Sequence, residues 1–467
     1  MNVSIKFLGA AQSVTGSKYL LEIDTKKVLV DCGLFQGQKE LRLRNWDKLP
    51  IDPAQIDVVV ITHAHIDHTG YLPRLVKDGF NGKIICTSAT EDLMKIMLLD
   101  AAKLQEEEAL FAFKRGFSKH EKPEPLFNTD NAKLVFTLIE SYPYEKEINL
   151  LPNVSVTFHN AGHILGSAFA ELKLRGSQQE KTIVFSGDLG RYNDPIMYEP
   201  VAIAQADILL VESTYGDRVS PMESVEEDLT NIINEACQNN GVVIVPAFAV
   251  GRTQSLIYYF NKVMASGAIP TLSIYVDSPM AINVTDLYER HSSTHKIKVR
   301  KEQNKLISIF DSPNIHFCNT RESSKALNEI KKPCIIISAS GMATGGRILH
   351  HLFHRLSREN DTVLFAGFQA AGSRGRRLVE GEKFVRIFGK DVPVNCHIRE
   401  IHGLSAHADQ SELMRWLDNF TKSPKMTFIT HGEIESATTF SKLIQQQRGW
   451  PTHIPNYLES LDLFQGI

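Results

Sequence analysis

The first part of the chain consists largely of short apolar runs separated by polar or glycine-containing turns. Residues 18–23 and 27–31 flank the polar segment Asp24-Thr25-Lys26, a pattern that predicts a β-hairpin. Residues 57–62 form a continuous β-branched apolar run, which predicts a buried strand. Residues 91–113 carry apolar positions at helical spacing without Gly or Pro, so we expect a long helix there.

From about residue 207 the pattern changes to short apolar strands that alternate with helical stretches. The strands are predicted at 242–245, 272–276, 334–337 and 362–365. This alternation is typical of a parallel sheet flanked by helices. From about Val394 the chain returns to strand, loop, helix and strand, with Asp409 and Glu412 as a possible helix-capping pair.

Composition adds the broad class. The chain has 467 residues, 43% of them hydrophobic and 22% charged, which suits a globular protein of two domains. A net charge of −3 excludes a globally basic nucleic-acid binder, yet residues 341–390 hold nine Lys or Arg against four Asp or Glu. We expect a basic groove there, with Arg374, Arg376 and Arg377 as its main contributors.

The six cysteines form no C-x-x-C pair, which favours buried free thiols in a reducing compartment. No apolar run is long enough to span a bilayer, and the N-terminus has no basic region followed by a long apolar core. The sequence therefore predicts a cytoplasmic protein without membrane contact.

Four potential metal ligands lie within six residues directly after the predicted strand at 57–62. They are His63, His65, Asp67 and His68. Side chains two positions apart in extended backbone face the same way, so His63 and His65 can share one cation. Imidazole and carboxylate groups suit zinc. This density of ligands outweighs the alternative of a chance cluster on a solvated loop.

Three later residues occupy similar loops after predicted strands. His163 lies in Gly-His-Ile-Leu-Gly-Ser, Asp188 in Ser-Gly-Asp and His431 in Thr-His-Gly-Glu. Each alone is compatible with a capping Asp or a half-buried His. Together they supply the ligands that the first cluster lacks.

These motifs resemble those of the metallo-β-lactamase superfamily, whose first motif is matched by Asp31 in Val-Asp-Cys-Gly. The second half resembles the β-CASP nucleases, which include RNA 3′-end processing endonucleases, RNase J and Artemis-type DNA nucleases. Their additional motifs are matched by Glu212 in Val-Glu-Ser-Thr-Tyr-Gly, by His407 in Ser-Ala-His-Ala-Asp and by His431.

The resemblance implies an α/β fold, an αββα sandwich with an inserted β-CASP cap built on a parallel sheet. The expected division is 1–207 and 390–467 for the metallo-β-lactamase domain and 208–389 for the cap. The resemblance also implies two Zn²⁺ per chain, with Asp188 as the bridge and Asp31 as a residue that orients ligands. One ion would take His63, His65 and His163, and the other Asp67, His68 and His431.

Two metals can hold one hydroxide between them and clamp both oxygens of an in-line displacement. The leaving oxygen then needs a proton, and His407 is the candidate general acid, with Glu212 orienting it. Asp67 is expected to serve catalysis as well as metal binding. These roles follow from the resemblance, since Glu212 taken alone would be interpreted as a surface or helix-start acid.

Glycine-rich loops that lead from strands into helices are candidates for phosphate contacts. One such loop spans 338–347, and a second contains Gly251-Arg252-Thr253. Neither contains the Gly-Lys-Ser/Thr element of a P-loop. The expected phosphate or RNA contacts are Arg252, Ser340, Gly341, Gly345, Gly346, Arg374 and Ser405.

The sequence therefore predicts a zinc-dependent ribonuclease that hydrolyses phosphodiester bonds of single-stranded RNA as an endonuclease, a 5′-exonuclease or both. RNA is the expected partner, and a homodimer is the expected assembly. The alternatives are a DNA nuclease of the same family, a small-molecule hydrolase such as a thioesterase or lactonase, and a non-catalytic RNA-binding scaffold. His431 favours RNA over DNA by family association only.

Overall fold

The computed structural model describes residues 1–115, 123–177, 179–220, 224–297, 300–302, 305–307, 310, 312–367, 369 and 372–466. The chain divides into two compact units. Unit 1 comprises residues 1–219 and 407–467, and unit 2 comprises residues 220–406. Within the described residues, no helix has the length and apolar character needed to cross a membrane.

The helices and strands fall into three consecutive segments of the chain. The first segment of unit 1 contains β1 (Val3–Phe7), β2 (Tyr19–Ile23), β3 (Lys26–Val30), α1 (Lys39–Leu43), β4 (Val58–Val60), α2 (Ile66–Thr69), α3 (Leu72–Lys77), β5 (Lys83–Thr87), α4 (Ser88–Arg115), α5 (Thr129–Phe136), β6 (Ile139–Tyr142), β7 (Glu147–Leu151), β8 (Val154–Asn160), β9 (Ala168–Arg175), β10 (Glu180–Phe185) and β11 (Ile208–Glu212). Unit 2 contains α6 (Val225–Gln238), β12 (Val243–Pro246), α7 (Arg252–Ala265), β13 (Ile274–Val276), α8 (Pro279–Arg290), β14 (Arg300–Glu302), β15 (Lys305–Ile307), β16 (Ile315–Phe317), α9 (Arg321–Ala326), β17 (Ile335–Ser338), α10 (Ile348–Arg355), β18 (Thr362–Ala366), α11 (Arg374–Val379), β19 (Phe384–Ile387), β20 (Lys390–Pro393) and β21 (His397–Ile401). The last segment of unit 1 contains α12 (Gln410–Leu417), β22 (Met426–Thr430), α13 (Ile434–Arg448), β23 (Thr452–His453) and β24 (Ser460–Phe464).

Unit 1 is a four-layered sandwich. One seven-stranded sheet has the order β24-β1-β2-β3-β4-β5-β6, and the other has the order β23-β22-β11-β10-β9-β8-β7. Their facing sides share one apolar core, to which Phe7 contributes from the first sheet and Phe185 from the second. The outer face of the first sheet packs on α3, α4 and α5, and that of the second packs on α12 and α13. Each sheet therefore buries both faces, which explains the continuous apolar runs along its central strands.

The hairpin predicted in the first sheet is present, with a shorter turn. Ile23 pairs with Lys26, so Asp24 and Thr25 alone form the turn, and Asp24 has a left-handed φ of 50°. This two-residue turn matches the twist of the flanking strands. The predicted strand at 57–62 is also present, but it ends at Val60, because the backbone N–H of Thr62 donates to the carboxylate of Asp31 instead of continuing the ladder.

Unit 2 is built on a six-stranded sheet with the order β16-β13-β17-β12-β18-β21. Every neighbouring pair in it is parallel. This confirms the predicted parallel sheet. It also confirms the predicted combination of an αββα sandwich with an inserted parallel-sheet unit. Separate two-stranded hairpins are formed by β14 with β15 and by β19 with β20.

The unit boundaries differ from the predicted domain boundaries at 207/208 and 389/390. Strand β11 lies between β10 and β22 in the second sheet of unit 1, so the chain leaves that unit only after residue 219. Strand β21 pairs with β18, which keeps residues up to 406 in unit 2. Apolar runs alone do not reveal which sheet a parallel strand joins, and this explains the displacement.

A buried ion pair anchors the sheet of unit 2. Arg355 is fully buried, and it donates to Asp361 at 2.9 Å and to the backbone carbonyls of Leu327 and Ile330. We expect Arg355→Ala to lower the free energy of unfolding by about 3–5 kcal/mol, because it leaves a buried carboxylate without its partner. Urea unfolding of the full chain, followed by circular dichroism, measures this.

The matched control for that measurement is Arg376→Ala. Arg376 pairs with Glu380 on the surface of α11, where both side chains are about half exposed. An exposed pair of this kind contributes at most about 1 kcal/mol. Equal destabilisation by the two variants would contradict the structural role of Arg355.

Candidate metal centre

The predicted ligands of unit 1 converge at the carboxyl ends of central strands from both sheets. Asp31 follows β3, His63 follows β4, Asp188 follows β10 and His431 follows β22. Strands β3 and β4 are parallel, and so are β10, β11 and β22, which brings their carboxyl ends to the same edge of each sheet. Loops at such edges are where binding groups are usually mounted.

Four side chains form the first group that could hold a metal ion: His63, His65, His163 and Asp188. Nδ1 of His65 lies 3.1 Å from Nε2 of His63 and 3.2 Å from Nε2 of His163. Oδ2 of Asp188 lies 3.3 Å from Nε2 of His63. Ligand atoms around a tetrahedral zinc, bonded at about 2.0–2.1 Å, are separated by about 3.3 Å. The four atoms therefore have the spacing of such a coordination shell.

Asp67, His68 and His431 form the second group. Nε2 of His68 lies 3.1 Å from Nε2 of His431, which in turn lies 3.5 Å from Oδ2 of Asp67. Oδ1 of Asp188 lies 3.3 Å from Nε2 of His68. One carboxylate thus presents one oxygen to each group. The structure places all seven predicted ligands in the two sets that the resemblance implied.

Asp188 is the central residue of this arrangement. Its side chain is 1% exposed, and neither carboxylate oxygen accepts a hydrogen bond from any described donor. A buried carboxylate without donors is strongly unfavourable unless a cation compensates it. The unsatisfied oxygens, the tetrahedral spacing and the donor types all fit two divalent cations.

Asp31 lies behind the two groups, contacting His68 directly and reaching His63 through the hydroxyl of Thr62. Its Oδ2 is 2.7 Å from Nδ1 of His68, and its carboxylate accepts hydrogen bonds from the backbone and hydroxyl of Thr62. A carboxylate in this position fixes the orientation of a metal-binding imidazole. Asp31 and His431 both adopt left-handed backbone, with φ of 58° and 48°. Such conformations are uncommon outside Gly and concentrate at functional sites.

The ligand loop also requires a glycine next to it. A Cβ on Gly33 would lie 1.5 Å from the backbone oxygen of Asp67, so no side chain fits there. The Cys32-Gly33 segment instead pairs through its backbone, as Cys32 N–H donates to His68 O. The predicted Val-Asp-Cys-Gly motif therefore supports the ligand loop by close backbone contact.

Burial sets the protonation of several ligands to the form that metals bind. Burial lowers the pKa of His63 to about 3 and that of His65 to about 4, so both rings are neutral. Burial opposes ionisation of Asp188, but the surrounding imidazoles hold its pKa well below the usual range. Neutral imidazole and ionised carboxylate are the forms that bind metals.

His68 differs from the other histidines. Burial alone would lower its pKa, but the carboxylates of Asp188 and Asp31 outweigh burial and raise the pKa well above its usual range. In the chain without a cation, the charged ring of His68 therefore offsets part of the negative charge of the two carboxylates. A metal ion held by Asp67, His68 and His431 would supply positive charge in place of that proton.

His407 and Glu212 form a pair beside the ligands. Nδ1 of His407 lies 3.3 Å from Oε2 of Glu212 and 3.9 Å from Oδ2 of Asp188. The Glu212 carboxylate also accepts a hydrogen bond from the backbone N–H of Leu189 at 2.6 Å. Burial opposes charging of His407, but Glu212 and Asp188 outweigh it and raise its pKa to about 9. The ring is thus held in a proton-donating state.

The predicted phosphate contacts lie in unit 2. The hydroxyl of Ser340 accepts hydrogen bonds from the backbone of Thr344 and Gly345, which closes the loop before α10. Gly341 packs against Phe248, and Gly346 has a φ of 77°. Arg252 begins α7, and Ser405 lies, half-buried, in the segment after β21. Arg374 donates to the carbonyls of Ala343 and Arg386, so its guanidinium holds the loop in place.

Sequence reasoning missed two hydroxyls. Oγ1 of Thr62 lies 3.1 Å from Nδ1 of His63. Oγ1 of Thr214 lies 3.1 Å from Nδ1 of His431. Thr62 precedes its histidine directly, but Thr214 is far from His431 in sequence. Only the pairing of β11 with β22 brings Thr214 to that ring. No local pattern in the sequence indicates this contact.

Comparison with known families covers most of the chain. Residues 14–224 match the metallo-beta-lactamase superfamily, residues 253–378 match the Beta-Casp domain, and residues 391–455 match the Zn-dependent metallo-hydrolase RNA specificity domain. The resemblance inferred from the motifs is confirmed by these three matches.

Curated relatives align along nearly the whole chain. Ribonuclease TTHA0252 of Thermus thermophilus is 35% identical over 93% of this chain and 94% of its own length. An RNase J-like protein of Methanocaldococcus jannaschii is 30% identical over 97% of this chain and 98% of its own length. The transcription termination factor FttA of Methanosarcina mazei is 28% identical over 99% of this chain and 72% of its own length.

A solved structure, that of a protein of unknown function from Enterococcus faecalis V583, has the same fold. It covers 99% of this chain and 100% of its own, with a TM-score of 0.55 and 12% sequence identity. At that identity the similarity bears on the fold alone.

The shared position of Asp188 leads to a direct test. We expect Asp188→Asn to weaken metal binding by at least about tenfold, the lower end of the loss seen even for indirect contacts. Metal content after dialysis, measured by mass spectrometry, gives the result. Asp207→Asn is the control. Asp207 directly precedes β11 of the second sheet, and its carboxylate accepts a hydrogen bond from the backbone N–H of Thr182 rather than joining either ligand group. Full metal content in Asp188→Asn would show that Asp188 is not a ligand.

Proposed function

This chain belongs to the β-CASP family of the metallo-β-lactamase superfamily, and we propose that it is a zinc-dependent ribonuclease acting on single-stranded RNA. The observation that carries the proposal is the pair of ligand groups that share Asp188, with His407 and Glu212 beside them. Relatives that align over nearly their full length are named as a ribonuclease and an RNase J-like protein, which supports RNA as the substrate.

The proposed zinc ligands are the residues of the two groups. His63, His65 and His163 hold one ion, Asp67, His68 and His431 hold the other, and Asp188 contacts both. When bound, two zinc ions supply Lewis acidity toward a phosphoryl group and lower the pKa of bound water to near neutrality. Asp31 keeps His68 and, through Thr62, His63 in place.

His407 is the proposed general acid. Its Nδ1 faces the Glu212 carboxylate, so the opposite ring nitrogen, Nε2, is the atom that gives a proton to the leaving oxygen. Glu212 is held by Leu189 N–H and by the Thr214 hydroxyl, so it acts as a fixed anion that keeps the imidazole charged and oriented. Asp67 serves the reaction as a ligand and as an additional negative charge toward His407.

In unit 2 we assign phosphate binding to the glycine-rich loop before α10 and to the start of α7. Backbone N–H groups of a loop that leads into a helix can bind an anion closely. The proposed backbone contacts to phosphate are those of Ser340, Gly341, Gly345 and Gly346. Arg252 and Ser405 are proposed side-chain contacts. The role of Arg374 is indirect, because its donors already bind two carbonyls of the loop and the neighbouring hairpin. A cytoplasmic location and a homodimer stay predictions.

The test compares end-labelled single-stranded RNA with single-stranded DNA of the same sequence, the RNA carrying a 5′-triphosphate, monophosphate or hydroxyl. We expect faster cleavage of RNA, and the product lengths report endonuclease or 5′-exonuclease action. Faster cleavage of DNA would assign the chain to the DNA-cleaving alternative. Absence of cleavage of either by the zinc-loaded chain would overturn the nuclease assignment.

The general-acid assignment has its own variant. We expect His407→Ala to lose at least about 100-fold in turnover, the usual contribution of general acid catalysis. It should keep its full zinc content, because His407 belongs to neither ligand group of the structure. Turnover of labelled RNA and metal analysis on the same sample give both readings. Zinc loss in this variant would show that His407 is a ligand.

A further inference from the structure

Two threonine hydroxyls occupy equivalent positions behind the proposed metal site. The hydroxyl of Thr62 donates to Oδ2 of Asp31 at 2.9 Å and lies 3.1 Å from Nδ1 of His63. Both Thr62 and His63 are fully buried. The sequence of groups is therefore carboxylate, threonine hydroxyl and imidazole.

Thr214 repeats this order on the other side of the site. Its hydroxyl donates to Oε2 of Glu212 at 2.6 Å and lies 3.1 Å from Nδ1 of His431. The backbone carbonyl of His431 is a second acceptor within reach, also at 3.1 Å. Because a hydrogen bond to an ionised carboxylate is the stronger one, the single hydroxyl hydrogen goes to Glu212.

A hydroxyl that has given its hydrogen to a carboxylate can only accept from its other neighbour. Nδ1 of His63 and of His431 must then carry a hydrogen, which leaves Nε2 of each ring with its lone pair. Nε2 of His63 lies 3.1 Å from Nδ1 of His65, and Nε2 of His431 lies 3.1 Å from Nε2 of His68. Nδ1 of His431, the nitrogen that faces Thr214, also lies 3.5 Å from the anionic Oδ1 of Asp188.

We propose that Thr62 and Thr214 are positioning residues, each of which fixes the tautomer of one histidine ligand in one metal group. The inference rests on the proposed metal site but not on the identity of the substrate. Thr214 has a second consequence, because the Glu212 that it binds also faces His407. The proposed general acid and the second metal group are thus held by the same hydroxyl.

Thr62→Val and Thr214→Val remove the hydroxyls at nearly constant side-chain size. We expect each to weaken the binding of one zinc ion by about 10- to 100-fold, as loss of an outer contact to a histidine ligand does. Competition with a chelator of known affinity, which resolves stepwise release of two ions, measures the change. Thr62→Ser and Thr214→Ser should restore wild-type binding.

A second readout reports the tautomer directly. In the ¹⁵N spectrum of zinc-loaded, histidine-labelled protein, the Nδ1–H of one ring should shift in each Val variant and return in the Ser variant. Thr62→Ala and Thr214→Ala give the same test if a Val variant does not fold.

Thr427→Val is the matched control. Thr427 lies in β22, is fully buried, and its hydroxyl has no hydrogen-bond partner within the described structure. We expect it to bind zinc as the wild type does. Val variants at 62 and 214 that match this control, or Ser variants that fail to restore binding, would overturn the inference. A chain that binds two zinc ions but cleaves no RNA would overturn the proposed function and leave this inference standing.

A separate observation concerns the hairpin of β19 and β20 in unit 2. Phe384 and Phe388 are 61% and 55% exposed, and the basic residues Lys383, Arg386 and Lys390 alternate with them. In β19, Phe384 and Arg386 are the exposed positions, whereas Val385 and Ile387 are buried. Phe384 and Arg386 therefore point to the same, solvent-facing side.

Phe388 lies at the tip of this hairpin in left-handed backbone, with a φ of 51°. Gly, Asn or Asp is usual in such a turn, whereas this chain places a half-exposed aromatic ring there. Its ring packs in a tilted arrangement against His350, at a centroid distance of 4.7 Å, and against Phe353, at 5.8 Å. Arg374 connects the hairpin to the glycine-rich loop by binding the carbonyls of Arg386 and Ala343.

We infer that this hairpin surface binds single-stranded RNA by stacking bases on Phe384 and Phe388, with the basic side chains contacting the backbone phosphates. Exposed aromatic rings among cations are the elements that recognise unpaired strands. This inference rests on the proposed function and names a binding surface for its substrate.

The test measures binding of a fluorescent oligouridine to the zinc-loaded chain in the His407→Ala background, which limits cleavage. The double variant Phe384→Leu/Phe388→Leu keeps apolar bulk but loses the rings, and we expect about tenfold weaker binding. The control Phe384→Tyr/Phe388→Tyr keeps the rings and should bind as the parent does. Duplex RNA of equal length should bind both variants equally.

Salt dependence separates stacking from charge. Arg386→Ala and Lys390→Ala should each reduce the slope of log affinity against log salt by about 0.7, whereas the Leu variant should keep the parent slope. Unchanged oligouridine binding by the Leu variant, or an equal loss for duplex RNA, would overturn the surface. Active cleavage of RNA by the wild type alongside that result would leave the proposed function intact.

Discussion

The buried carboxylate of Asp188 is the group on which the site depends. It lies between two sets of imidazoles, and the described structure provides no hydrogen-bond donor to either oxygen. A charge placed in this way is tolerated only where positive charge is supplied nearby. Without a metal, a proton on His68 provides part of that charge, as its raised pKa indicates. The fold thus holds a buried carboxylate whose negative charge bound cations would balance.

The two-sheet architecture makes this placement possible. Each sheet contributes strands whose carboxyl ends reach the same region, so ligands far apart in sequence meet without long loops. Asp188 follows β10 and His431 follows β22, which are neighbours of β11 in one sheet, while His63 follows β4 in the other. Apolar packing between the sheets fixes these ends relative to each other. The precision of the site is therefore a consequence of the core rather than of the loops.

Much of the site could be predicted from the sequence because the candidate ligands lie in short motifs next to recognisable strands. The side chains predicted as ligands lie in two groups in the structure, and Glu212 lies beside His407. The contacts of the Thr62 and Thr214 hydroxyls could not be predicted, since a threonine in a strand-end loop has no distinguishing sequence pattern. The unit boundaries were displaced for a related reason, because the sheet that β11 joins is decided by long-range pairing.

Most of the positively charged side chains in the basic segment 341–390 are already bound to other groups of unit 2. Four of its nine cations pair with carboxylates inside unit 2, namely Arg347, Arg355, Arg376 and Arg377. Arg358 and Arg374 donate to backbone carbonyls. The remaining three, Lys383, Arg386 and Lys390, belong to the hairpin of β19 and β20 or directly precede it. Three of the nine cations thus lie together on one small surface beside two exposed aromatic rings, with Asp391 opposite Arg386 in the hairpin ladder. Attraction of an RNA backbone to unit 2 should depend on that hairpin and on backbone donors of the glycine-rich loop, and little on the arginines that the sequence made most prominent.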